Sequence, residues 1–187
     1  PVAARRVLRG ADRCHLGLGE PRVDGGGSRA GYRSARRHPA HAKLTGMAGP
    51  LWTQLVALPR HDPADLTASV VPEKPGVYAW FRDGEPVYSG VAAGSGGLRG
   101  RVWRFHLKTG PDLSHSSFRR NVCEHLGIAP TSRTRIRPTV MTAEEVEPVN
   151  AWIRSCEVAW LVCESSEKAK QFERALHAEW LAPLSKR

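Results

Sequence analysis

The sequence predicts an α+β domain in which helices pack on a small mixed or antiparallel sheet, preceded by a disordered basic tail. Three observations carry this. Two runs rich in β-branched and aromatic residues, 77–81 and 86–89, flank Arg82-Asp83-Gly84-Glu85, and an Asp-Gly step between such runs signals a hairpin because it tolerates positive φ. A continuous apolar run of strand length occupies 158–162, as a buried central strand would. The intervening and following stretches carry apolar residues at helical spacing.

At 187 residues and 41% hydrophobic content the chain holds one domain with a core plus a tail. No run approaches the roughly 18 apolar residues of a membrane span. Residues 1–46 hold ten Lys/Arg against three Asp/Glu, so seven of the ten net positive charges lie there. Rich in Arg, Gly, Ala and Ser, with no apolar period, this tail cannot bury enough surface to offset its ordering entropy. The composition changes at Met47, so an over-extended reading frame that truly starts at Met47 is the leading expectation. A basic arm on nucleic-acid phosphates and an Arg-rich organellar presequence are the alternatives.

Residues 47–71 form a lead-in, with a short helix over 51–58, that packs on the domain. After the hairpin, a glycine-rich loop over 92–97 leads into a helix whose Leu98, Val102 and Phe105 share a face and which carries Arg99, Arg101 and Arg104. A loop over 108–114 follows. Ser116 or Ser117 then caps a helix with Phe118, Val122 and Leu126 on one side, ending near Gly127. Residues 133–140 alternate charged and apolar and read as an exposed extended segment. Thr142-Ala-Glu-Glu145 fits a capping box, after which Pro148 lies in the first turns or breaks the helix. Behind the 158–162 strand, Ser165 or Ser166 caps a helix with the stripe Ala169, Phe172, Leu176 and Trp180, and Glu173 sits at the edge of that stripe.

Four cysteines, Cys14, Cys123, Cys156 and Cys163, form no Cys-x-x-Cys pair. They read as reduced thiols of a cytoplasmic protein rather than zinc ligands or a disulfide framework.

Residues 75–107 resemble a GIY-YIG nuclease domain. Gly76-Val77-Tyr78 stands for the first half of the family's name, Tyr88-Ser89-Gly90 for the second, and Leu98-Arg99-Gly100-Arg101-Val102 for the arginine-bearing helix that follows. His115-Ser116-Ser117 is similar to an element of homing-type members, and Glu173 with Pro183-Leu184-Ser185 stands where the family has its metal-binding glutamate and closing Pro-x-Asn. The likeness spans residues 72–184, within a domain running over 72–187. It implies a three-stranded, mainly antiparallel sheet flanked by helices. It also implies a divalent-metal-dependent endonuclease that hydrolyses phosphodiester bonds in DNA, with RNA a second possible substrate. Two positions depart from the pattern. Ser185 replaces the terminal Asn, and Val91 stands where repair-type members often carry a polar or basic residue.

Phosphodiester hydrolysis needs a nucleophile made from water, a cation against the charge growing on phosphate, and help for the leaving oxygen. On this resemblance Tyr88, and secondarily Tyr78, position or deprotonate the water. Arg101 clamps the scissile phosphate with its planar guanidinium. His106 and His115 are candidates for acid, base or phosphate donor, although His106 falls five positions after Arg101 where four fits the family better. Glu173 holds Mg²⁺ or Mn²⁺ through oxygen.

A separate clue comes from charge. Residues 98–137 hold nine Lys/Arg against Asp112 and Glu124, a basic surface suited to phosphates, on which Arg99, Arg104, Lys108, Arg119 and Arg120 are expected to touch nucleic acid. The alternatives are a non-catalytic nucleic-acid-binding module on the same scaffold, and a small interaction domain without nucleic acid. Repair, mobile-element and restriction pathways all suit these motifs.

Overall fold

The computed structural model describes residues 49–139 and 141–186, so the tail over 1–46 lies outside the described residues. β1 (Gly76–Arg82) and β2 (Glu85–Ala92) form the expected hairpin. Asp83 and Gly84 make its turn with φ of 53° and 84°, the paired positive values of a type I′ turn. β3 (Glu157–Val162) pairs antiparallel with the other side of β1, so the sheet order is β2-β1-β3. The expectation of a central strand over 158–162 is thereby corrected: β1 is central and wholly apolar inward, whereas β3 is an edge. His61 partly covers that edge, exchanging backbone hydrogen bonds of 2.9 and 3.0 Å with Val158 and stacking its ring on Trp160 at 4.2 Å.

Alternation along β1 divides the core in two. Tyr78 and Trp80 face one cluster with Leu98, Val102, Phe118 and Val149, while Val77, Ala79 and Phe81 face another with Trp52, Leu55 and Leu176. The second cluster is built by α1 (Pro50–Val56) and α5 (Ser166–Glu179). The Trp52 indole donates to the carbonyls of Leu176 and Trp180 at 3.1 and 2.9 Å. The Glu179 carboxylate accepts from the amides of Leu51 and Trp52 at 3.1–3.2 Å, capping a helix start that has no side-chain cap of its own. The lead-in therefore packs on the domain as expected.

Over the first cluster lie α2 (Ser117–His125), the short α3 (Thr131–Thr134) and α4 (Ala143–Arg154). Ser116 caps α2 by accepting from the Arg119 amide at 3.1 Å. Thr142 and Glu145 form the expected capping box, and α4 runs through Pro148 with one backbone hydrogen bond fewer. Part of the segment expected to be extended over 133–140 is instead the end of α3, whose amides fold back on Pro130 and Thr131 carbonyls.

The arginine-bearing helix, Arg99–His106, is wound as a π-helix, with the Leu107 amide reaching the Val102 carbonyl five residues back at 3.1 Å. Leu98 and Val102 are buried as expected. Phe105 is not: it is 36% exposed, and His106, at 1%, takes its inward place, because each turn holds one residue more than α-helical spacing allows. Cys123, Cys156 and Cys163 are free thiols. Among the described residues no helix is long and apolar enough to cross a membrane.

Candidate active site

Strand register brings the two tyrosines together. Trp80 stands opposite Tyr88 and Tyr78 opposite Gly90, so both phenols point to one face as diagonal neighbours, ring centroids 6.4 Å apart. A Cβ at Gly90 would lie 2.6 Å from the Tyr78 hydroxyl. Glycine at this position leaves the room that hydroxyl occupies.

The π-helix supplies the next two groups. Because a hydrogen bond to the fifth residue closes each turn, Arg101 and His106 fall one turn apart on the same side. Five-residue spacing therefore still unites them. His106 is buried, with Nε2 at 2.7 Å from the Tyr78 hydroxyl and Nδ1 at 2.7 Å from Ser116 Oγ. Donor counting sets the direction of this chain. Ser116 Oγ already accepts from the Arg119 amide, and its own hydrogen finds its acceptor in Nδ1, since a buried hydroxyl hydrogen without one is costly. Nε2 then carries the ring hydrogen and donates to Tyr78, whose hydroxyl is free to donate onward to Tyr88. Burial, helped by Arg101, Arg119 and Arg120, holds His106 well below the usual histidine range and so neutral.

Burial also raises both phenols, Tyr78 well above the ordinary tyrosine value. At Tyr88 that rise is opposed by the Arg101 charge and by hydrogen bonds from Tyr78 and Ser117, and reinforced by Glu173. Tyr88 is thus the less strongly raised of the two phenols.

Glu173 arrives from beyond the free edge of β2. The last residues fold along that edge: the Leu184 amide donates to the Val87 carbonyl at 2.8 Å, and Ser185 Oγ accepts from the Ser89 amide at 2.9 Å and donates to the Ser89 carbonyl at 3.2 Å. Ser185 therefore engages the strand as a backbone partner would. Asn121 fixes this segment by donating to the Leu184 carbonyl at 2.7 Å. One turn from Glu173, His177 Nε2 meets Ser89 Oγ at 3.0 Å. Burial pushes the Glu173 carboxyl up, while the Val91 amide, Arg101 and Arg174 draw it down.

Tyr78, Tyr88, Arg101 and Glu173 thus line one cleft of about 210 Å³, with Arg120, Arg135 and Lys186 on its walls and Glu173 as the one carboxylate. Among the described residues neither Arg101 nor Arg135 is in an ion pair. Arg120 donates to Ser114 and Ser117. Burial, with Arg135, Arg101 and Arg137 nearby, lowers its pKa.

Other expected contacts lie elsewhere. Arg119 was expected on the nucleic-acid surface, but it is fully buried, donating to the carbonyls of Gly110 and Asp112 and to Asn150 Oδ1 at 2.9–3.4 Å. The 108–114 loop turns those carbonyls inward, and the guanidinium satisfies them; burial lowers its pKa to about 10. Arg99 and Arg104 both pair with Glu73 at 3.0 and 3.3 Å on the outer side of the π-helix. Lys108 is exposed. His115 is exposed too, outside the cleft lining, its ring 5.8 Å from Phe105 and Nε2 3.7 Å from Asp112. Sequence reasoning missed Ser117, Arg135, His177 and Lys186 as lining groups. Only His177 carried a local signal, four residues after Glu173 on the same helical face.

Among the described residues no group of three His, Cys, Asp or Glu could enclose a metal ion. A lone carboxylate facing a cationic, phosphate-sized cleft is the donor set of a hard cation that keeps most of its waters and completes its shell with substrate oxygens, so these residues fit Mg²⁺ or Mn²⁺. The chain matches no family model, no curated protein and no solved structure.

Proposed function

We propose that this chain is a divalent-metal-dependent endonuclease of the GIY-YIG type that hydrolyses phosphodiester bonds in DNA. One observation carries the reading: residues scattered from Tyr78 to Glu173 converge on a single cleft, and a hydrogen-bond chain from Ser116 through His106 reaches Tyr78, whose ring lies 6.4 Å from that of Tyr88. RNA offers the same phosphates. The free thiols of Cys123, Cys156 and Cys163 suit a reducing, cytoplasmic setting.

Arg101 and Arg135 bind the scissile phosphate, and Lys186 and Arg120 add positive potential around it. Tyr88 as phenolate accepts a proton from the attacking water, and Arg101, Tyr78 and Ser117 offset part of the burial that raises its pKa. The water oxygen bonds to phosphorus as the phosphorus–oxygen ester bond breaks, and the departing oxygen gains a proton from solvent. His106 stays neutral and orients Tyr78. Glu173 would hold the cation, which when bound would supply positive charge against the phosphate and lower the pKa of water.

Nicking of supercoiled plasmid by the full chain with Mg²⁺ or Mn²⁺ tests this, beside Glu173→Ala, Arg101→Ala and Tyr88→Phe. Loss in all three folded variants is the expected result. A parent chain that binds DNA and never nicks it with either metal refutes catalysis, and leaves a nucleic-acid-binding module.

A further inference from the structure

A second, larger cavity of about 540 Å³ shares Val91 and Arg101 with the catalytic cleft. Its floor is the glycine-rich loop, its sides are the π-helix and Lys170 of α5, and its ring is Phe105. The volume falls within the about 300–1,000 Å³ typical of small-molecule sites. Two features separate it from an ordinary packing void. Phe105, at 36% exposure, turns out of the core because of the π winding, so an apolar ring faces solvent next to cations. Gly94 and Gly100 each leave open space where a Cβ would sit, so the cavity is kept wide by residues without side chains. Arg101 of the helix and Lys170 opposite make its surround positive, and Arg104, paired with Glu73, stands at its wall.

We propose that this cavity receives one unpaired nucleotide of DNA next to the bond that is cut, its base against Phe105 and its flanking phosphates between Arg101 and Lys170. The inference rests on the endonuclease reading and names its substrate class. A strand whose phosphate sits on Arg101 in the first cleft must pass directly into the second, since the two share that side chain. A base within duplex is stacked on both faces and paired along its edge, and it cannot enter without leaving the helix. Apolar ring, cationic rim and open floor together match a single nucleoside, because stacking on an aromatic side chain is indifferent to base identity. Substrates with a bulge, mismatch, flap or single-stranded end present such a nucleotide at the least cost.

The test is binding of the full chain in Ca²⁺ to three probes of equal length: a blunt duplex, the same duplex with one bulged 2-aminopurine, and a single strand. Expected is at least tenfold tighter binding to the bulged and single-stranded probes, with 2-aminopurine fluorescence quenched. Phe105→Ala and Gly94→Leu, both changes at open positions whose folding is checked by thermal melting, should each remove the preference and the quenching. Equal affinity for all three probes, or a preference that survives both variants, overturns the subsite while plasmid nicking still judges the endonuclease reading. Failure to bind any probe, with no nicking, overturns both.

Discussion

Replacing Ser185 with alanine probes whether the closing segment holds the tyrosine-bearing strand β2. The hydroxyl accepts from the Ser89 amide and donates to the Ser89 carbonyl, and Ser89 and Ser185 are only 2% and 6% exposed. Alanine leaves a buried amide without an acceptor, which costs about 1–3 kcal/mol. For a chain of this size each kcal/mol lowers Tm by about 2–4 °C, so a fall of about 2–12 °C is expected by calorimetry. Ser185→Asn carries both an acceptor and donors and should recover most of the loss. Because Ser89 lies between Tyr88 and Gly90, plasmid nicking by the alanine variant should fall at temperatures where it remains folded. An alanine variant as stable as the parent within about 0.3 kcal/mol would sink the claim that this hydroxyl closes the sheet edge.

Four further outcomes concern the titratable and charged groups of the core and cleft. Burial raises Glu173, so its folded pKa lies above its unfolded one; the stability it contributes is fully present below about 4.5 and is lost as pH rises through the folded value. Metal-free Glu173→Gln should therefore be more stable than the parent at pH 7 and indistinguishable from it near pH 4, as read by urea denaturation. Arg119→Ala strips three acceptors of a buried donor and should destabilise by about 3 kcal/mol or more. Arg135→Ala should leave Tm within about 1 °C of the parent and weaken DNA binding in anisotropy titrations. Because Tyr88 is raised above the ordinary phenol value, kcat/KM in Mg²⁺ should climb about tenfold per pH unit from 7 to 9 without a plateau. A flat profile excludes Tyr88 as the base.

The hairpin, the capping box and the helix around Glu173 were legible because each is written in local chemistry: Asp83-Gly84 for the turn, Thr142 with Glu145 for the cap, Ala169 with Leu176 for the buried stripe. The tyrosine pair was legible for the same reason, since strand alternation and a two-residue turn fix the register. What local pattern did not contain is tertiary. Nothing near Arg119 in sequence says that loop carbonyls will turn inward and draw it into the core. Position in the sheet depends on which strand β1 pairs with second, so an apolar run at 158–162 reads as central whether or not it is. Arg135 and Lys186 reach the cleft from elements far apart in the chain, and a basic residue in a basic stretch gives no hint of where it points. Phe105 and His106 exchanged places because helical periodicity presumes α winding.

That winding gives the site a tolerance for length. The π-helix holds one residue more than an α-helix needs between the guanidinium and the imidazole. Removing Arg104, an exposed residue, would let the segment rewind as α with Arg101 and the following histidine four apart, again stacked on one side. Hairpin and α2 would stay where they are. An insertion or deletion here is absorbed as a change of pitch rather than passed on as a rotation of everything downstream, so the helix between the tyrosines and the glutamate works as a slip joint in the chain.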